Sequence, residues 1–320
     1  MAVYIPSLSQ IGFKEEGAFN ETPTPGAQTT GFGIVNEEIT LPDVVVEQKV
    51  LHAVGGGSNP SVIVPAARTL SGSISFYLQN GIPLKYLLGG YSVAGSSPYT
   101  HSISCADAAP SSMCIEALYN DGTTDFTRYF GGSVITGASV SAEEEGFVKM
   151  AADIESCSIT TSTTDTPSVI PDDTKEPYVF CEGSCTYFGT SYARVLDFDI
   201  SVKRAFKARR YIQTTDACYP TEINFGTREI ELSTTVIASQ DTAAYGTEIY
   251  EELLAQTSGG SNMVMLFTRG SNDTIQLTLS GCMLKESPHT INPAAEDYPI
   301  GLSLVAKDID VEVVDDISTY

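Results

Sequence analysis

Basic side chains are scarce in this chain of 320 residues: 17 Lys and Arg stand against 40 Asp and Glu, a formal net charge of −23 at pH 7. So acidic a chain repels phosphates, which excludes a protein that grips nucleic acid through its backbone. Solubility or a salty habitat is the plain reading of that charge, and a sharper one depends on where the carboxylates sit. Apolar runs of about 18 residues are missing too. The opening Met-Ala-Val-Tyr-Ile-Pro has no charged segment ahead of an apolar one. Neither a membrane span nor a signal peptide is expected, and the expectation is a soluble chain made inside a cell.

Signatures of catalysis are also missing. His52, His101 and His289 stand at no metal-ligand spacing, and no Gly-x-Ser-x-Gly elbow occurs. The Gly55-Gly56-Gly57 run lacks the Lys-Ser/Thr of a phosphate loop. Acids are so abundant that neighbours such as Glu143, Glu144 and Glu145, or Asp315 and Asp316, do not by themselves define an acid/base pair. The seven cysteines are an odd number, so free thiols are expected rather than a disulfide framework. Cys181 and Cys185 would supply half a metal site, but no second pair follows them. No catalytic residue, cofactor or metal is expected.

What the chain does have is β pattern. Ser71 to Leu78 alternates at period two, with Ile74 and Phe76 opposite Ser73 and Ser75. Further strands are expected at 39–54, 113–119, 127–130, 133–141 and 147–160, and then at 178–186, 193–208 and 228–238. Ile82–Leu88 and Ala244–Leu254 are the two helix candidates, and Tyr91–Pro110 reads as a polar loop. The Thr-Pro-Thr-Pro-Gly at 22–26 marks an extended arm over residues 1–34, free to reach a neighbour. A Thr- and Pro-rich linker covers 161–177.

Two halves echo each other. Gly146–Glu155 (GFVKMAADIE) returns as Gly301–Asp310 (GLSLVAKDID), and Gly131–Ile135 returns as Ser280–Leu284. Met113–Ile115 matches Met263–Met265, and Arg68-Thr69-Leu70 with Ser73 matches Arg228-Glu229-Ile230 with Ser233. The order is kept throughout, at separations of roughly 150 to 165 residues, which fits a duplicated domain rather than a solenoid. The expected division is an arm over 1–34, a first β-rich domain over 35–160, a linker over 161–177 and a second domain over 178–320.

Ser71–Gly89, a strand and short helix ending in Leu-Leu-Gly, precedes Gly-Gly-Ser-Val-Ile-Thr-Gly-Ala-Ser-Val at 131–140 and a Gly-Phe-Val-Lys-Met strand. With Phe225–Ser233 and the Cys282–His289 segment, this order resembles the tail tube proteins of long-tailed bacteriophages and archaeal tailed viruses, over most of residues 35–314. The resemblance implies a mainly β fold of two tandem β-sandwich domains, each with one short helix, contributing strands to an intersubunit β-barrel. It implies a structural protein of the virion tail, assembled in the host cytoplasm, whose homotrimeric rings with pseudo-sixfold symmetry stack into a tube. Viral DNA would pass through the lumen without specific binding, and a tape measure protein and a tail terminator would be partners. Another tail ring component, or a β-sandwich binding module, is the alternative.

Two sets of residues are candidates for contacts. Lys203, Arg204, Lys207, Arg209 and Arg210 hold five of the 17 bases and are expected to meet acidic surface on another subunit. Asp153 and Glu155, at strand period, are expected on a lumen-facing side, and Asp308, Asp310 and Glu312 on the matching side of the second copy. Val148, Met150, Ile154, Val305, Ile309 and Val311 are then expected in the core. An exterior or seam position for the acidic face stays open.

Overall fold

A computed structural model describes residues 9–35, 39–55, 58–123, 125–170, 175–187, 190–192, 194–212, 218–237, 261–270, 272–287 and 299–320. The period-two segments become strands of one antiparallel system. Its first half runs β1 (Gln10–Glu15), β2 (Thr30–Gly31), β3 (Val44–Leu51), β4 (Val62–Tyr77), α1 (Ile82–Leu88), β5 (Gly89–Gly95), β6 (Tyr99–Cys105), β7 (Met113–Asn120), β8 (Asp125–Glu143), β9 (Lys149–Ser156) and β10 (Ser158–Ser162). Its second half runs β11 (Gly183–Tyr187), β12 (Thr190–Tyr192), β13 (Val195–Arg209), β14 (Glu222–Ile237), β15 (Ser261–Thr268), β16 (Thr274–Glu286), β17 (Pro299–Ala306) and β18 (Asp308–Asp315). The second helix candidate, 244–254, and His289 lie outside the described residues.

Eight strands form one long sheet in the order β3-β4-β9-β8-β13-β14-β17-β16. It crosses from the first half to the second at a single ladder, where Asp197–Lys203 of β13 pair with Glu143–Gly137 of β8. A first outer sheet runs β2-β1-β7-β8-β10, and a second runs β12-β11-β15-β16-β18-β6-β5.

β8 and β16 each serve two sheets, so each must bend. Both do so at a glycine with positive φ, Gly132 at 59° and Gly281 at 63°, a conformation that costs other residues a Cβ clash. A bulge follows in both, between Ile135 and Gly137 and between Leu284 and Glu286. The other pairings repeat too: β3-β4-β9-β8 is matched by β13-β14-β17-β16, and β2-β1-β7-β8-β10 by β12-β11-β15-β16-β18. The strands after Phe147 and around Leu302 hold the same place in this order.

The inward residues of both halves form one continuous core rather than two. Ile74, Phe76, Met150 and Ile154 share it with Ile200, Leu232, Leu277 and Leu304. On α1, Leu84, Leu87 and Leu88 fall on one face at i, i+3 and i+4 and are buried.

Three segments differ from the expectation. Tyr91–Pro110 is not a loop but mainly the β5–β6 hairpin, which pairs with β18 of the other half. The buried residue that disguised its alternation is polar, His101. The described part of the amino-terminal arm is not free: β1 pairs with β7, and Phe13 and Phe32 are buried with centroids 4.5 Å apart. The linker packs as well, since Ser168 donates its hydroxyl to the buried Glu116 carboxylate at 2.6 Å and its backbone N–H at 2.9 Å. Burying those apolar rings and pairing that carboxylate outweigh the turn propensity of the prolines.

Residues far apart in sequence, Lys85 and Tyr91 on one side and Asp315 and Tyr320 on the other, meet around His101. Its Nε2 lies 3.1 Å from Asp315 Oδ1, its Nδ1 lies 3.0 Å from the Tyr91 hydroxyl, and the Tyr320 ring stacks on it at 3.8 Å. Tyr320 donates to Asp315 Oδ2 at 2.6 Å, and Lys85 Nζ donates to the Tyr320 carbonyl at 3.0 Å. We predict that Tyr320→Ala, which removes both the ring and the hydroxyl, lowers stability by about 2–4 kcal/mol. Tyr320→Phe, which keeps the stack, should cost about 1 kcal/mol. Denaturant unfolding of the two variants checks the order.

Candidate functional site

The solvent-facing side of the long sheet follows from its cross-strand register. Ser75, Ala151, Ser139, Ser201, Glu231 and Val305 stand opposite one another across six strands, and the next row is Tyr77, Lys149, Ser141, Asp199, Ser233 and Ser303. Small and hydroxyl side chains dominate, which gives a low, polar surface. Its charges are mostly acidic: Glu143, Asp153, Asp197, Asp199, Glu229 and Glu231 against Lys149, Lys203 and Lys285. One ion pair joins them, Lys285 Nζ to Glu231 at 3.2 Å between exposed groups, and such pairs contribute about 0–1 kcal/mol. Burial raises the pKa of Asp199, against the opposing pull of Lys149 and Lys203.

The predicted acids do not form one matched set. Asp153 is exposed on this face, opposite Ser73 and Gly137. Glu155 lies on the same strand but is buried, and burial pushes its carboxyl up to about 7, with Arg210 pulling the other way. Asp308, Asp310 and Glu312 are on β18, in the second outer sheet between β16 and β6, and so do not share a face with Asp153. Pairing makes β17, not β18, the counterpart of β9: Asp153 lies opposite Ser73 and the bulge at Gly137, and Ser303 lies opposite Ser233 and the bulge at Glu286. The sequence echo is therefore displaced by five positions, from 303 to 308. The same displacement corrects Val305, which is exposed instead of core, while Val148, Met150, Ile154, Ile309 and Val311 are buried as expected.

The basic segment divides in two. Arg204 is half-buried, donates to the carbonyls of Ala108 and Asp107 at 2.9 and 2.8 Å, and sits 5.0 Å above the Phe225 ring. Arg210 donates to the carbonyls of Cys218, at 3.1 Å, and Arg68. Both guanidinium groups bind this chain, whereas Lys203, Lys207 and Arg209 are exposed. Charge count in sequence does not distinguish an anchoring arginine from an outward one.

All seven thiols are free, and burial raises those of Cys114, Cys157 and Cys185 to about 12, far from a reactive thiolate. Among the described residues no group of three His, Cys, Asp or Glu side chains is placed to hold a metal ion, and no helix is long and apolar enough to cross a membrane. The arrangement is that of a β-structural protein with extended pairing surfaces. The family model for phage tail tube proteins matches residues 6–311, nearly the whole chain, and the chain belongs to that family. It is a structural family rather than an enzyme family, and membership makes this a virion tail protein that self-assembles into a tube. No curated protein matches the chain.

Glu155 yields a pH prediction. A carboxyl whose pKa rises from 4.5 to about 7 on folding binds its proton more tightly when folded, so its contribution to stability falls as pH rises from about 4.5 through 7. Glu155→Gln should remove that slope and stabilise the chain above pH 7 by roughly 1–3 kcal/mol. Denaturant midpoints at pH 5 and pH 8 check it, and parallel curves for the two proteins would contradict it.

Proposed function

We propose that three copies of this chain form a ring, that rings stack into the hollow tail tube, and that the serine-rich acidic face of the long sheet lines the lumen through which viral DNA passes. The observation that carries this reading is the continuous eight-stranded sheet, to which each half contributes four strands in the same pairing order. Two tandem tube domains in one chain then supply six similar units from three copies.

The polar face suits passage of DNA. Its carboxylates repel phosphates, and its short hydroxyl side chains offer little for a base or sugar to catch on. The repulsion extends over a Debye length of about 8–10 Å at ordinary ionic strength. No catalysis enters this role. A tape measure protein and a tail terminator would meet the tube at its length-setting and closing steps, with assembly in the host cytoplasm.

Stacking brings the outward bases into play. Lys207 and Arg209 are exposed on the distal part of the β13–β14 hairpin, and the rest of the chain is strongly acidic, so an adjacent ring offers them carboxylates. Each such pair is weak, but the contact repeats along a filament.

Light-scattering mass of the smallest stable ring should give three chains of 34.1 kDa. Rings of six full-length chains, or dispersed single chains under negative stain, would contradict the proposal. The double variant Lys207→Ser/Arg209→Ser should leave rings intact and shorten or abolish tubes, most clearly at low salt. Tubes of unchanged length would return these two residues to ordinary solvated surface.

A further inference from the structure

Cys181 and Cys218 are exposed, whereas Cys114, Cys157, Cys185 and Cys282 are buried and Cys105 is half-buried. The two exposed thiols stand at opposite ends of one strand. Cys218 lies in the turn that joins β13 to β14, and Cys181 shares a cavity wall with Val195, where β13 begins. At about 3.3 Å per residue, the 15 residues of β13 hold those ends roughly 45–50 Å apart. Each thiol is fixed in place. Cys218 has a left-handed backbone, φ 80°, and its carbonyl accepts from the Arg68 backbone N–H at 3.0 Å and from Arg210 Nε at 3.1 Å. Cys181 sits in the 3₁₀ turn Phe180–Glu182, where the Phe180 N–H donates to the Gly146 carbonyl at 3.0 Å and ties it to the β8–β9 turn.

The surroundings of the two thiols are complementary. Cys181 lines a cavity of about 360 Å³ at one end of the long sheet, with Phe198, Met265 and Phe267 in its wall. Glu144 and Glu145 also line it, and Glu143 and Glu182 stand exposed beside them, so acids outnumber the neighbouring exposed Arg194. The turn that carries Cys218 has the opposite character. Ile212 lies fully in water, Phe206 and Tyr211 are 43% and 58% exposed, and Lys207 and Arg209 are exposed as well. Glu222, the acid on that hairpin, already accepts from the Tyr211 hydroxyl and from Asn224 at 2.9 Å. An apolar knob between bases at one end of the strand and an apolar cavity between acids at the other suit copies arranged head-to-tail.

We infer that the occupant of the cavity is the β13–β14 turn of a copy in the adjacent ring, and that the joint brings Cys218 of one ring beside Cys181 of the next, where a disulfide can lock it. Ile212 seats in the cavity, and Lys207 and Arg209 face Glu144 and Glu145. The joint covers an apolar side chain that one copy leaves in water and matches opposite charges at its rim. With the two Cα atoms about 4.4–6.8 Å apart, an oxidant such as molecular oxygen or an azo compound takes two electrons and two protons from the paired thiols, and the S–S bond forms between rings. Assembly in a reducing cytoplasm keeps the joint reversible, and an oxidising medium closes it. This inference rests on the stacking reading given above and names the joint between rings.

The test uses the native thiols of assembled tubes. Diamide, an azo compound reduced to its hydrazine as each disulfide forms, is added, the remaining thiols are blocked, and the chains are separated on a non-reducing denaturing gel. A ladder running past three chains is expected, because every chain offers one Cys181 and one Cys218 along the stack. Cys181→Ser tubes and Cys218→Ser tubes should each give single chains, and tubes assembled from a mixture of the two variants should give dimers only. Ile212→Asp, at a position already in water, should keep the fold by circular dichroism and give rings that neither stack nor cross-link. Parent tubes that remain single chains, a ladder that stops at three chains and persists in unstacked rings, dimers from either serine variant alone, or Ile212→Asp tubes of unchanged length overturn this inference and leave the tube reading standing. A parent protein that forms tubes under no condition overturns both.

Discussion

A strand at the rim of a sheet carries backbone N–H and C=O groups that another strand, or water, must satisfy, and it invites whatever strand arrives first. Within this chain two ladders between the halves resolve that constraint, β6 with β18 in the second outer sheet and, in the long sheet, β8 with β13. The long sheet exists because of that ladder. It joins the two halves into one surface, places Glu143, Asp197 and Asp199 on the same side as Asp153, and, among the described residues, leaves β3 and β16 as its outermost strands.

The two bent strands make this possible. β8 and β16 pass from an outer sheet into the long one at Gly132 and Gly281, so each contributes to the core between sheets and to the long sheet itself. At the bend, Ile223 of the β13–β14 hairpin packs on Val134 of β8 and on Cys157, just past the end of β9. The buried Glu155, with its raised pKa, lies under that hairpin and near Arg210. The seam within the chain is thus also the place where a carboxylate is held out of water, a cost that the surrounding apolar contacts offset.

Much of this was legible from residues alone. The period-two run at Ser71–Leu78, the helix at Ile82–Leu88 and the order of the repeated motifs rest on local chemistry and recur in the structure. What was not legible depended on register. GFVKMAADIE and GLSLVAKDID look alike because each reads as one strand ending in acids, yet the first runs unbroken through β9 while the second spans the end of β17, Lys307 and the start of β18, so the ladders place them five positions apart and Asp308, Asp310 and Glu312 fall in another sheet. Arg204 and Arg210 read as free charge because nothing local to them announces the carbonyls of Ala108 and Arg68 as partners. The β5–β6 hairpin went unseen because its inward residue His101 is polar, satisfied by Asp315 and Tyr91 from far along the chain.

The central claim is that each half gives four strands to one long sheet, whose polar face turns inward in a ring of three chains. The most direct measurement is an electron cryo-microscopy reconstruction of the assembled tube at a resolution that separates strands. The account predicts three chains in each ring, with Asp153, Asp199 and Glu231 pointing into the lumen. A map with six full-length chains in each ring, or with that face on the exterior of the tube, would contradict it.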